Sequence, residues 1–257
     1  MTNKLDTAIA QHPGAIGLMT HTIAGYPDWP TCTQLVHTMA QCGVRVMEIQ
    51  IPFTDPLADG PTIMAANQAA LDAGVRPEDA LRWAQQMGRE LPEVAFLIMT
   101  YANIPYAMGL EQFLTCCKEA GIQGVILPDL PVDEAEGAYA QAARHHGLHP
   151  VLVVSPDTPT TRLDQILPQA SGLLYTTLKV GITGASAHIA SAALDYLRSL
   201  RQRTRLPIAA GFGISHPQHV AGLRGFADLA VVGSHVLNLL QQGGLAEVRS
   251  FLHACLS

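Results

Sequence analysis

Eight short β-rich runs alternate along the chain with stretches of helical spacing, and this alternation restricts the fold more than any other feature. The runs are "IGLMTHTI" from Ile16, "VMEIQ" from Val46, "VAFLIMT" from Val94, "GVILP" from Gly124, "HPVLVVS" from His149, "GLLYTTL" from Gly172, "LPIAAG" from Leu206 and "LAVVGS" from Leu229. Most are continuously apolar, as parallel strands covered on both faces must be. The intervening stretches carry an apolar stripe and stop at glycine, as in "DWPTCTQLVHTMAQCG" at Gly43, "LEQFLTCCKEAG" at Gly121 and "VDEAEGAYAQAARHHG" at Gly147. Eight βα units in 257 residues predict an α/β chain folded as a single (β/α)8 TIM barrel with a parallel eight-stranded core. A doubly wound open sheet is the runner-up, but it usually has fewer strands. No Ser/Gly linker or charge run divides the chain, so residues 1–257 read as one domain.

Bulk properties exclude several functions. Hydrophobic residues make up 48% and charged residues 14%, enough to bury a sizeable core. The net charge is -6 and no basic run occurs, which argues against a nucleic-acid partner. No apolar run approaches the roughly 20 residues that span a bilayer. The polar N-terminus lacks a signal-peptide core. Five cysteines, none in a CxxC, read as free thiols in a reducing cytoplasm. The histidines form no HExxH or comparable set, so no metal site is expected.

In a barrel of this kind the chemistry sits where strands end. The seventh run leads into "AAGFGIS" with Gly211, Phe212 and Gly213, and the eighth into "VVGSHV" with Gly233 and Ser234 opening a helix. The sixth leads into "KVGITGA" with Gly184. Glycines let backbone N–H groups approach a ligand, and a helix N-terminus favours an anion. Each glycine alone suits a simple turn; three such loops on one rim predict a phosphate site.

The second run is odder, because Glu48 lies inside it and the loop beyond, "IPFTDPLADGP", carries Asp55 and Asp59 among three prolines. Burial disfavours the charged form of a carboxyl group. A carboxyl group poised near neutrality both donates and accepts a proton. The stiff loop can fold back and set Asp59 opposite Glu48, giving two carboxylates in different environments. The plainer alternatives are a Glu48 that caps a neighbouring N–H and an Asp59 that makes an Asx turn before Gly60.

"EIQIPFTDPLADGPTI" resembles the signature of the tryptophan synthase α subunit family, which usually reads Glu-hydrophobic-Gly-hydrophobic-Pro-Phe-Ser-Asp-Pro-hydrophobic-Ala-Asp-Gly-Pro. "AGYPD", "TYANIPYAMG", "GVILPDLPVDEA", "GITGA", "GFGIS" and "VVGS" resemble further family segments in family order, so the similarity covers nearly the whole chain. The resemblance implies a (β/α)8 fold and retro-aldol cleavage of indole-3-glycerol phosphate to indole and glyceraldehyde 3-phosphate. It implies Glu48 as the acid/base at indole C3 and Asp59 as the carboxylate near the indole N–H. Tyr101 and Tyr175 would contact substrate, and Gly184, Gly213, Gly233 and Ser234, with Gly211 and Phe212 alongside, would bind its phosphate. Pro52 and Asp55 would face a β subunit in an α-β-β-α heterotetramer. Pyridoxal phosphate would belong to that partner, leaving this chain without a cofactor.

Some positions depart from the family pattern. Gln50 stands where Gly is usual and, with a strand period of two, should face the barrel interior beside Glu48. There it would take space from the indole or rearrange Glu48. His21 replaces an aromatic or apolar residue near the pocket, Met64 a polar one, and Leu178 and Lys179 the usual start of the sixth loop. These changes leave two rival readings: a Schiff-base aldolase using Lys179, and a weakly active or non-catalytic phosphate-ligand-binding partner of a β-type subunit.

Overall fold

The computed structural model describes residues 3–10, 16–130, 134–178, 189–211 and 213–257. Eight strands are present: β1 (Gly17–Ile23), β2 (Val46–Gln50), β3 (Ala95–Met99), β4 (Gly124–Ile126), β5 (His149–Val154), β6 (Leu174–Thr177), β7 (Ile208–Gly211) and β8 (Leu229–Val232). The helices are α1 (Lys4–Ala10), α2 (Trp29–Gln41), α3 (Pro61–Asp72), α4 (Pro77–Glu90), α5 (Asn103–Met108), α6 (Leu110–Glu119), α7 (Glu134–His145), α8 (Thr160–Ile166), α9 (Ser191–Arg203), α10 (Pro217–Gly222) and α11 (Ser234–Leu256), the last broken at Gly244. Each strand pairs in parallel with the next in sequence, and β8 pairs with β1, closing the barrel. Every one of the eight apolar runs became a strand, and the open-sheet alternative is excluded by closure.

The strand pattern sorts side chains between two cores. Leu18, Met47, Ile49, Phe96 and Ile98 point outward and pack against the helices. Their neighbours Met19, Val46, Ala95, Leu97 and Met99 fill the barrel interior. Both faces are dry, which is why the runs read as continuous rather than alternating. Leu5 and Ala8 of α1 join the interior cluster, while Lys4 Nζ donates to the carbonyl of Val94 just ahead of β3. The first helix therefore stops the N-terminal end of the barrel and leaves the C-terminal end open.

Local signals set the helix ends. Asp28 accepts from the Thr31 N–H at 2.8 Å and caps α2, with Pro30 in its first turn. Gly43, Gly121 and Gly147 all take positive φ just past α2, α6 and α7, as the sequence suggested. Among the described residues no helix is long and apolar enough to cross a membrane. All five thiols are free.

Candidate active site

A cavity of about 270 Å³ opens at the C-terminal ends of the strands. Glu48 reaches it from β2, His21 from β1, Tyr175 from β6, and Asp59 from the loop after β2. Ile63, Met99, Ile126, Val153, Ile214 and Val231 supply apolar wall, and Gly213, Gly233 and Ser234 line the same space. One mouth thus holds two carboxylates, a phenol, an apolar cage and a glycine-bearing rim.

Glu48 and His21 are register partners on adjacent strands, so their side chains meet at one level of the barrel. His21 Nδ1 lies 3.0 Å from Glu48 Oε1. They are 6% and 3% exposed, so the pair is shielded from solvent. Burial pulls the His21 pKa down, but the Glu48 charge and hydrogen bond, helped by Asp59 and Gln50, outweigh it and raise it above 6.5. Glu48 Oε2 and His21 Nε2 are buried without a hydrogen-bond partner.

Asp59 is held by two donors, Gln50 Nε2 at 2.8 Å and the Tyr101 hydroxyl at 3.0 Å. Burial raises its pKa despite the opposing pull of His21, Gln50 and Tyr101. The Tyr101 hydroxyl also accepts from the Ala58 N–H at 3.1 Å, and its ring stacks on Phe53 with centroids 5.0 Å apart. Phe53 N–H in turn donates to buried Asn67 at 3.0 Å. These contacts return the proline-rich loop to the barrel mouth, as its stiffness suggested. Burial, followed by the charges of Glu48 and Asp59, raises the Tyr175 pKa well above its usual 10.0, so the phenol keeps its proton.

The rim is built at two strand ends. Gly213 has φ +76°, open to glycine and strained for other residues, and lines the cavity. Gly233 precedes Ser234, the first residue of α11, and makes no side-chain cap. A Cβ on Gly233 would sit 3.2 Å from His21 Cβ, so its lack of a side chain leaves room for that ring. Gly211 is different: a Cβ there would lie 2.5 Å from Val231 Cβ, so this glycine serves the close approach of β7 to β8 and does not line the cavity. Gly184, Phe212 and Lys179 lie outside the described residues.

Other expected positions divide. Tyr101 is buried behind Asp59 and is not part of the cavity wall. Pro52 is buried, whereas Asp55 is exposed, so only the latter presents a side chain at the surface. Gln50 does face inward, but it engages Asp59 rather than displacing Glu48, and it does not line the cavity. Met64 is exposed on α3 and Leu178 packs in the outer core, so these two departures lie off the cavity wall. The His21–Glu48 contact was missed because it depends on strand register; the unusual histidine was its only trace. Among the described residues no group of three or more His, Cys, Asp or Glu gathers as a metal site.

The fold and the site first define a class: (β/α)8-barrel proteins whose titratable groups converge on one cavity at the C-terminal mouth. Within that class, the family model described as tryptophan synthase alpha chain matches residues 8–253, and the chain belongs to that family. The tryptophan synthase alpha chain of Desulforapulum autotrophicum is 39% identical over 92% of this chain and 93% of its own length. That of Syntrophotalea carbinolica is 38% identical over the same shares. Among solved structures, tryptophan synthase of Mycobacterium tuberculosis superposes with TM-score 0.90 at 27% identity, covering 99% of this chain and 97% of that one. A mutant tryptophan synthase alpha-subunit from Pyrococcus furiosus gives 0.85 at 29% identity, covering 93% and 97%.

Proposed function

We propose that this chain is a lyase of tryptophan biosynthesis that cleaves indole-3-glycerol phosphate to indole and glyceraldehyde 3-phosphate. The observation that carries the reading is that Glu48 and Asp59 open on one apolar cavity together with Gly213, Gly233 and Ser234. A flat aromatic ring suits the apolar cage, and a phosphate suits the glycine rim at the start of α11.

The chemistry follows from these positions. Glu48 gives a proton to indole C3, and the ring nitrogen takes up positive charge. Asp59, close by and carrying negative charge, stabilises that charge. The bond from C3 to the glycerol carbon then breaks, its electron pair returning to the ring. Glu48, now a carboxylate, accepts the proton of the glycerol hydroxyl as the aldehyde forms. The acid is thereby restored. Tyr175, a protonated phenol, hydrogen-bonds substrate oxygen from β6. Gly213, Gly233 and Ser234 hold the phosphate. The sequence of proton transfers calls for no cofactor in this chain.

The partner reading has its own support. Leu57, two residues past Asp55 in the loop after β2, and Tyr106 on α5 are 91% and 86% exposed, apolar side chains that suit docking of a β subunit. Pyridoxal phosphate would reside in that subunit, within an α-β-β-α assembly. Free thiols suit a reducing cytoplasm. A steady-state assay of indole release from indole-3-glycerol phosphate, with and without a tryptophan synthase β subunit, tests the reading. Release accelerated by the β subunit supports both parts; no release in either condition overturns the lyase assignment.

A further inference from the structure

The geometry points to His21 as a positioning residue that clamps Oε1 of Glu48 and leaves Oε2 as the single oxygen through which the mobile proton passes. This inference rests on the lyase reading for its kinetic consequence, but the pair itself is tested without it. His21 stands directly across from Glu48 in the β1–β2 register, its Nδ1 3.0 Å from Oε1. Oε2, by contrast, is buried and has no partner. With Nδ1–H donating to Oε1, the two oxygens of one carboxyl group are no longer equivalent.

Gln50 extends the arrangement. Its Nε2 is committed to Asp59, which as a carboxylate only accepts, so Oε1 is the acceptor left over. That amide favours the charged imidazole, although Oε1 and His21 Nε2 are not joined by a hydrogen bond of good geometry. The ring therefore stands between Glu48 Oε1 and the Gln50 carbonyl. The titratable groups around it are Glu48 from β2, Asp59 from the returning loop and Tyr175 from β6, with Tyr101 bonded to Asp59 from beyond β3.

In the reaction, Oε2–H passes its proton to the ring carbon, and the new carboxylate is steadied by the Nδ1–H it already accepts. Oε2 then takes the hydroxyl proton and the pair is reset, with no net gain or loss of protons. The Glu48 contact holds the His21 pKa above the ring's ordinary 6.5, and the alkaline fall of kcat should follow that ring.

Two measurements test this. In the first, the imidazole signals are followed by NMR from pH 5 to 9, with His21 assigned by its disappearance in His21→Phe. The parent is expected to titrate above 6.5, and Glu48→Gln to lower that midpoint by about one unit or more. An unchanged midpoint in Glu48→Gln overturns the pairing. In the second, kcat and KM for indole release are measured against pH. His21→Phe should shift the alkaline limb to lower pH by about one unit and lower the plateau, with KM within about threefold. His21→Asn, which keeps a donor near the Nδ1 position but cannot titrate, should recover the plateau and keep the shifted limb. Profiles that superimpose on the parent overturn the role. A parent that releases no indole removes the lyase reading, and the NMR result then decides the pair alone.

Discussion

Gln50 Nε2 donates to Asp59 Oδ2 across 2.8 Å, joining the last residue of β2 to the loop that returns over the barrel mouth. A side chain that departs from its family's usual glycine therefore has a defined task. It fixes one carboxylate of the cavity, while another departure, His21, engages the second. The Tyr101 hydroxyl supplies Asp59 with its other donor.

Removing the amide should loosen Asp59. Gln50→Leu keeps most of the volume and deletes the donor, leaving Tyr101 alone to hold the carboxylate. A hydrogen bond to a charged group contributes about 1.5–3 kcal/mol, and part of that is felt in the transition state. Indole release is expected to fall about tenfold, with the fold retained. Gln50→Gly lacks the same donor and should fall as well. Steady-state kinetics on both variants check this, and a parent-like rate in Gln50→Leu would show that Asp59 needs no tether.

Much of this was legible before any coordinates. The eight strands stand out because parallel strands with two dry faces become uninterrupted apolar runs, and Glu48 stands out because it interrupts one. The glycines past α2, α6 and α7 mark their stops because each takes a positive φ. Pairings across the barrel were not legible. The contact of His21 with Glu48 depends on the register of β1 against β2, and that of Gln50 with Asp59 on how the loop folds back. Gly211 looked like a phosphate glycine, yet its role is set by Val231 on the neighbouring strand.

Asp59 should leave a signature in the pH dependence of stability. Burial raises its pKa above the ordinary 3.8, so the folded chain binds this proton more tightly than the unfolded chain does. Stability from this group is present below 3.8 and is lost as pH rises through the folded value. Asp59→Asn escapes that loss. Its Tm relative to the parent is expected to climb as the pH is raised from about 4 to 7. A Tm difference that is flat across this range, or that falls, contradicts the burial argument.

The rim at the start of α11 should bind an anion. Phosphate soaked into crystals is expected beside Gly213, Gly233 and Ser234, and Ser234→Asp should repel it. A carboxylate placed within a few ångströms of a phosphate costs on the order of 1–2 kcal/mol in a partly solvated site, so KM should rise about tenfold or more. Phosphate bound elsewhere, with KM unchanged in Ser234→Asp, counts against the rim.

The central claim is that Glu48 moves the proton at the reacting carbon, and the Glu48→Gln variant tests it most directly. The amide preserves size and can still meet His21, but it cannot shuttle a proton. Indole release from indole-3-glycerol phosphate, measured for parent and variant at matched folding and phosphate affinity, should drop by about 10²–10⁴-fold. A Glu48→Gln protein that releases indole at close to the parent rate would contradict the mechanism, with the barrel and its cavity left standing.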